Sequence, residues 1–355
     1  MLSLNSFEAC RLLYNNPVAN ESEGILFRSR LLSTARRMGF SDGRRQNMAL
    51  VAAELVSNQV KHAQSKGLLQ IWQQAGPALD LVALDFGPGI ANLVLAQQDG
   101  FSTANTLGKG LGSIRRLSDE SAVYSVRPED DKDGKWHGSL FWARFYLHGR
   151  GGVKRDAEIP GVFGEKIQLG LFSRALGEDR YNGDRVYLLQ DENRLCWLHL
   201  DGLGHGLGAH QAVENLAGCL VRGDHPAAVL MQADRQLAST RGAVAVSCAV
   251  NIVDKSVELM GVGDMSAHFY TTEELKNLTF APGILGKEHK TPQSTKLIYE
   301  KRCTIVTASD GIRRNWKSEA FPGLFNQHPQ VTAYLLGNIM GRASDDQSLC
   351  IVKVE

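Results

Sequence analysis

His199-Leu-Asp-Gly-Leu-Gly-His-Gly-Leu-Gly208 joins the end of an apolar run, Leu195–Leu200, to a turn in which every second residue is glycine. The run predicts a β-strand, and Asp201 stands at its end. Glycine lets the backbone turn tightly and lets carbonyl groups approach a ligand closely. Carboxylate and carbonyl oxygens are the ligands that hard divalent cations prefer in proteins. The stretch therefore predicts a strand end that offers oxygen atoms to a metal ion, with a helix over His210–Val221 behind it.

A second carboxylate is predicted to face this one across a hairpin. Residues 185–190 favour a strand and residues 191–194 favour a turn, so the returning strand brings Asp184 opposite Asp201. Two facing carboxylates repel each other unless a cation lies between them. The alternative interpretation is that both acids merely form turns at strand ends.

Two further aspartates stand in matching positions later in the chain. Asp310 follows the apolar run 302–308, and Asp345 precedes the last predicted strand, 348–354. Four aspartates at strand ends can converge at one edge of a sheet sandwich. The pattern does not separate Asp345 from its neighbour Asp346 as the fourth of them.

The motifs around these aspartates, taken in order, resemble the PPM-type metal-dependent serine/threonine phosphatases in their SpoIIE/RsbX-like bacterial branch. The matching pieces are Asn182-Gly-Asp184, Asp201-Gly-Leu-Gly-His-Gly206, Thr240-Arg-Gly-Ala243, Gly261-Val-Gly-Asp264, Ala308-Ser-Asp-Gly-Ile312 and Asp345-Asp-Gln-Ser348. The resemblance implies an α-β-β-α sandwich with two Mn²⁺ or Mg²⁺ ions that clamp a phosphate and activate a water molecule. It implies that Asp201 bridges the ions, with Asp184 and the Gly202 carbonyl on one ion. Asp310 and Asp345 would hold the other ion, and His205 is either a substrate-orienting or a structural residue.

The N-terminal half places polar residues on one face of a predicted helix. Over residues 43–64, Glu54, Asn58 and His62 follow one another at intervals of four. Downstream, Asp85-Phe-Gly-Pro-Gly-Ile90 ends a predicted strand with a carboxylate and two glycines, an arrangement that suits recognition of an exocyclic amine on a ring. A glycine cluster at residues 107–112 leads into another predicted helix, whose first N–H groups suit phosphate. The spacing of a Walker loop is absent.

This ordered set resembles the GHKL ATP-binding superfamily, within it the anti-sigma-factor and switch-protein serine kinases of the RsbT/RsbW type, over residues 20–147. The resemblance implies an α/β sandwich that binds ATP with Mg²⁺. Asn58 would bind the Mg²⁺, Asp85 would read the adenine amine, and Glu54 would be the base that orients the attacking hydroxyl group. The glycines would make room for the nucleotide: Gly87 and Gly89 beside the adenine, and Gly108, Gly110 and Gly112 around the phosphates.

Bulk properties narrow the classes of function. A length of 355 residues suggests two domains. A net charge of +1 does not indicate binding to nucleic acid or to an anionic membrane. The six cysteines are scattered without a CxxC pair, which favours reduced thiols in a cytoplasmic protein. The longest apolar run, Ala243–Val250, is too short to span a membrane.

We therefore predict a two-domain α/β (α+β) chain: an ATP-binding, kinase-like domain over 1–147, a linker over 148–160 and a phosphatase-like domain over 161–355. The expected function is that of a bifunctional partner-switching regulator. It would be an ATP-dependent serine/threonine kinase and a metal-dependent serine/threonine phosphatase, acting in trans on a STAS-domain switch protein. Two alternatives stay open. The ATP-binding domain could be a non-catalytic, nucleotide-gated binding module for a sigma factor or switch protein, or a sensor that regulates the phosphatase.

Overall fold

The chain folds into two units, and each unit contains stretches that are separated in the sequence. The computed structural model describes residues 10–18, 20–62, 67–74, 77–93, 110–149, 162–163, 166–177, 179–190, 193–221, 223–272 and 274–355. The first unit contains Arg11–Ile159 and also Trp316–Val331, which we call the returning segment. The second unit contains the described residues of Pro160–Asn315 and Thr332–Glu355. The predicted linker, 148–160, lies mostly outside the described residues.

The first unit is built on a five-stranded sheet with the strand order β1-β2-β3-β5-β4. The strands are β1 (Cys10–Val18), β2 (Gly67–Gln74), β3 (Ala78–Asp85), β4 (Glu120–Val126) and β5 (Gly138–Tyr146). The helices described before β5 are α1 (Glu21–Arg37), α2 (Asp42–His62) and α3 (Gly110–Leu117). A capping box of Asn20 and Glu23 starts α1.

One face of this sheet packs against the helices. Leu79, Leu81 and Ala83 alternate along β3 and share a core with Leu31 of α1 and Leu55 of α2. Residues two apart on a strand point to the same face, so this pattern defines the helical side of the sheet. The predicted α/β sandwich of the N-terminal domain is confirmed.

The returning segment packs on the opposite face of the same sheet. Arg144 of β5 is buried and forms a two-pronged ion pair with Asp80 of β3, with N–O distances of 2.7 and 2.8 Å. Its Nη2 also donates to Oε1 of Gln330 at 3.1 Å. The ring of Trp142 stacks on His328 with centroids 4.7 Å apart. Because a buried ion pair needs further polar partners to offset its desolvation, the segment contributes directly to the stability of this face.

The second unit stacks two antiparallel sheets. Its strands are β6 (Val162–Phe163), β7 (Ile167–Arg174), β8 (Asp184–Gln190), β9 (Arg194–Gly202), β10 (Ala243–Asn251), β11 (Ser256–Val262), β12 (Ser266–Tyr270), β13 (Leu275–Leu278), β14 (Thr295–Ile298), β15 (Cys303–Ala308) and β16 (Gln347–Val354). One sheet has the order β14-β11-β10-β9-β8, and the other has the order β13-β12-β15-β16-β7-β6. Buried hydrogen bonds of His199 of β9 with Thr307 and with Ser348 join the two sheets face to face.

Helices cover both outer faces of the stack. Helices α4 (Gly206–Val213) and α5 (Pro226–Leu237) pack on the sheet that contains β9 and β10, and α6 (Pro329–Met340) places Gly337 against Phe172 of the other sheet. The predicted α-β-β-α sandwich is confirmed. The helix predicted over His210–Val221 was placed wrongly, since it begins four residues earlier, inside the glycine turn, and ends at Val213. No helix among the described residues is long and apolar enough to cross a membrane.

Candidate active sites

The hairpin of β8 and β9 brings two aspartates face to face. Asp184 and Asp201 are direct partners in the antiparallel register, so the predicted register is confirmed. Gly202 follows at the end of β9, where an added Cβ would lie 2.7 Å from the carbonyl oxygen of Ala209. Only glycine therefore fits beside Asp201, and this close packing fixes the strand end against the start of α4.

The other two predicted aspartates lie at the same edge. Asp310 lies two residues after β15, and Asp345 lies two residues before β16, which pairs with β15. Burial raises the pKa of Asp201 well above its ordinary value, and the negative charges of Asp184, Asp310 and Asp345 raise it further. Burial also raises the pKa of Asp310, with a smaller contribution from Asp345. The four carboxylates thus form one electrostatic group.

A chain of buried hydrogen bonds holds Asp184 in place. The Ser348 hydroxyl donates to Asp184 Oδ2 at 2.7 Å, and the same hydroxyl oxygen lies 2.7 Å from His199 Nε2. If Ser348 donates to the carboxylate, Nε2 of His199 must carry the proton, and Nδ1 accepts from Thr307 Oγ1 at 2.9 Å. Burial lowers the pKa of His199 to about 3, which is consistent with this neutral ring. The network therefore holds Oδ2 of Asp184 and leaves Oδ1 outside these hydrogen bonds.

Hydrogen bonding distinguishes Asp345 from Asp346. Asp346 is buried and accepts from the backbone N–H groups of Leu176 and Gly183, one on each oxygen, both at 2.7 Å. Asp345 is partly exposed, and its Oδ1 accepts only from the N–H of Asp346 among the described residues. Asp346 thus ties two loops together, and Asp345 has the freer carboxylate.

Sequence reasoning left one acid of this group out of the ligand set. Asp264 is exposed, and its charge contributes to the raised pKa values of both Asp201 and Asp310. The signal was available in Gly261-Val-Gly-Asp264, where a carboxylate follows the end of β11. His205 is exposed at the start of α4 and makes no capping hydrogen bond there, so its role stays a prediction.

The donor set fits a divalent cation. Oδ1 of Asp184 is buried and accepts no hydrogen bond from the part of the chain that the structure describes, and burial raises the pKa of this carboxyl group to about 7. A cation would satisfy this oxygen and cancel the repulsion within the group. Among the described residues, no three histidine, cysteine, aspartate or glutamate side chains already form a closed ligand set. Mg²⁺ commonly takes only one or two carboxylates and keeps several waters, so an open set of this kind suits it.

The first unit places Asp85 at the end of β3 with its carboxylate oriented by backbone groups. Oδ1 accepts from the N–H groups of Gly87 at 2.9 Å and Ser139 at 3.0 Å, and no described residue donates to Oδ2. Burial raises the pKa of this carboxyl group, and the two backbone hydrogen bonds oppose that shift. Gly89 has a φ of 70°, and a Cβ there would lie 2.5 Å from the carbonyl oxygen of Val126. The turn therefore needs glycine and leaves one oxygen of Asp85 free to accept.

The remaining predicted nucleotide residues lie on helices of this unit. Glu54 and Asn58 are one turn apart on α2, and both are partly buried. Gly110 begins α3 and Gly112 lies in its first turn, whereas Gly108 lies outside the described residues. The charge of His62 at the end of α2 acts on Asp85, which places the C-terminal end of α2 near this turn.

Comparisons with known proteins give a family match for the N-terminal part of the chain and similarity of fold to solved structures. Residues 21–134 match the histidine kinase-like ATPase domain. Over 99 residues the chain is 32% identical to the serine/threonine-protein kinase RsbT of Bacillus subtilis (strain 168), covering 27% of this chain and 74% of RsbT. A solved structure from work on the bacterial stressosome aligns with a TM-score of 0.50 and 24% identity, covering 53% of this chain and 100% of that chain. Another, RsbX in complex with magnesium, aligns with a TM-score of 0.49 and 18% identity, covering 54% of this chain and 97% of that chain.

Proposed function

We propose, from the premise that this chain belongs through residues 21–134 to the histidine kinase-like ATPase family, that it is a partner-switching regulator with a kinase and a phosphatase site. The kinase would phosphorylate a serine or threonine of a STAS-domain switch protein, and the phosphatase would remove the phosphoryl group. The convergence of Asp184, Asp201, Asp310 and Asp345 at one edge of the second unit carries the proposal. It gives the chain a second candidate site, separate from that of the ATP-binding unit.

In the kinase reaction, the residues of the first unit would bind and orient rather than form covalent bonds. Asp85 would accept a hydrogen bond from the adenine amine through its free Oδ2, and Asn58 would hold the Mg²⁺ of the nucleotide. Glu54, one turn before Asn58, would orient the hydroxyl group of the substrate. Phosphoryl transfer depends mostly on such positioning and on charge neutralisation.

In the phosphatase reaction, the four aspartates would hold two Mn²⁺ or Mg²⁺ ions. These ions would neutralise the phosphoryl oxygens and lower the pKa of a bound water. Asp184, with Oδ2 fixed by Ser348, would present Oδ1 to the site, and Asp201 would lie between it and Asp310. The free oxygen of Asp345 supports this residue, rather than Asp346, as the fourth ligand.

The direct test mixes the full chain with each STAS-domain protein of the same genome and γ-labelled ATP, first with Mg²⁺ and then with added Mn²⁺. We expect label on one of them, lost over time with the wild type and retained with Asp201→Ala. Glu54→Gln should bind ATP but transfer no label, and Asn58→Ala should lose Mg-ATP binding while keeping the phosphatase. Equal loss of both activities in Asn58→Ala and Asp201→Ala would contradict two separate sites.

A second candidate function is a phosphatase whose ATP-binding domain acts as a nucleotide sensor or as a gated binding module for a sigma factor or switch protein. One observation favours the sensor: the returning segment belongs to the ATP-binding unit, and it lies in the chain between Asp310 and Asp345. Under this hypothesis, no label reaches any STAS-domain protein, and ATP changes the rate of dephosphorylation in Glu54→Gln.

A further inference from the structure

A cleft of about 560 Å³ lies beside two of the site aspartates. It is lined by Arg313, Arg314, Asn315, Arg342, Ala343 and Ser344. The first three residues come three to five positions after Asp310, and the last three directly precede Asp345. The cleft is therefore built from the two loops that also carry half of the aspartate group.

The backbone of these loops is fixed although their side chains are exposed. The N–H of Arg313 donates to the carbonyl of Met340, and the N–H of Arg342 donates to the carbonyl of Gly311, both at 2.8 Å. Ile312 and Gly341 form an antiparallel bridge between these bonds. The two loops are thus joined like short strands, and this pairing fixes the backbone positions of the three arginines at one cleft.

The three guanidinium groups have no hydrogen bond or ion pair with any described residue, and all three residues are exposed. The positive charges of Arg314 and Arg342 act on Asp310 and lower its pKa, against the larger effect of burial. Three cations around one cleft repel each other, so an anion bound between them would be favoured. Arginine presents a planar fork of donors that matches the oxygens of a phosphoryl group.

We propose that Arg313, Arg314 and Arg342 form the receptor for the phosphoryl group of a phosphoserine or phosphothreonine protein substrate. The proposal rests on the proposed phosphatase function and identifies the chemistry by which that site recognises its substrate. The arginines hold phosphoryl oxygens at the mouth of the aspartate group and offset the negative charge that would otherwise repel a phosphate. They are binding residues, and none of them takes part in a bond that forms or breaks.

The test measures binding separately from hydrolysis. A fluorescent peptide with a non-hydrolysable phosphonate analogue of phosphoserine is titrated with the full chain in Mn²⁺, beside the same peptide with serine. We expect the wild type to prefer the phosphonate peptide, and Arg314→Ala and Arg342→Ala each to weaken its binding about tenfold or more. Arg342→Lys keeps the charge but loses the fork, so it should weaken binding less. Arg235→Ala, an exposed arginine on α5, is the matched control and should bind as the wild type does.

The outcomes separate the proposal from the proposed function. If the phosphonate peptide binds through the arginines but phosphopeptides are never hydrolysed, the receptor stands and the phosphatase is contradicted. If phosphopeptides are hydrolysed with an unchanged KM after Arg313, Arg314 and Arg342 are all replaced by alanine, the receptor is overturned and the phosphatase stands. Equal binding of the phosphonate and serine peptides by the wild type also overturns the receptor.

Discussion

At the scale of single residues, Asp201 sits where several negative charges meet. Burial and its acidic neighbours raise its pKa, so in the absence of a cation this carboxylate opposes folding. We expect Asp201→Asn to stabilise the full chain in EDTA by on the order of 1 kcal/mol, because it removes that repulsion. The same variant should lose the rise in Tm that Mn²⁺ gives the wild type. Differential scanning calorimetry with and without Mn²⁺ measures both effects.

The control for this prediction is Asp133→Asn, which removes an exposed carboxylate from the first unit. It should leave Tm in EDTA and the Mn²⁺ response as they are in the wild type. A destabilised Asp201→Asn that still responds to Mn²⁺ would show that Asp201 is a structural acid and not a ligand.

Asp85 allows a subtler test, because its two oxygens have different tasks. In Asp85→Asn, Oδ1 can still accept from Gly87 and Ser139, so we expect Tm to change little. The second oxygen becomes an amide donor, which would face the donating amine of adenine instead of accepting from it. ATP affinity measured by titration calorimetry should fall by about tenfold or more. Unchanged ATP affinity would remove Asp85 from the nucleotide site.

At the scale of elements, the turn after β15 depends on one glycine. A Cβ at Gly311 would lie 1.8 Å from the carbonyl oxygen of Asp346, a contact that requires backbone movement. Gly311→Ala should therefore separate the loops that carry Asp310 and Asp345 and lower the phosphatase kcat/KM by about a hundredfold or more. ATP binding by the first unit should persist. Gly218→Ala, where an added Cβ meets nothing within 4 Å, is the matched control and should keep both activities.

The elements that the sequence predicts well are those with local signals. The hairpin of β8 and β9 follows from its strand period and turn residues, and the pairing of Asp184 with Asp201 follows from that register. The start of α4 was missed because Gly206 and Gly208 are poor helix formers, and tertiary packing overrides this propensity: Gly208 lies against the guanidinium of Arg241. Likewise, Asp346 differs from Asp345 in its burial and in the hydrogen bonds that it accepts from Leu176 and Gly183, and those donors are far away in sequence.

At the scale of the whole molecule, the least predictable feature is the returning segment. Its residues carry no local pattern that indicates membership of the N-terminal unit, because the contacts that place it are side-chain matches across about 180 residues of chain, such as His328 on Trp142. The segment contacts the strands that also carry residues of the proposed nucleotide site. β3 carries both Asp80 and Asp85, and β5 carries both Ser139, which donates to Asp85, and Arg144, which donates to Gln330.

This connectivity predicts which substitution would abolish the effect of ATP on the phosphatase if the first unit is a nucleotide sensor. A nucleotide bound at Asp85 that shifts β3 or β5 would change the contacts of these strands with His328 and Gln330. From these residues the chain continues through α6 to Asp345. His328→Ala removes the stack on Trp142, so ATP should no longer change the phosphatase rate, although ATP affinity and the rate without ATP stay within about twofold of the wild type. Gln327→Ala, its neighbour, should keep the response. Phosphopeptide hydrolysis is measured across an ATP titration in the Glu54→Gln background, where rephosphorylation cannot mask the rate. A response that survives in both His328→Ala and Gln330→Leu would mean that the returning segment only stabilises the fold and carries no signal.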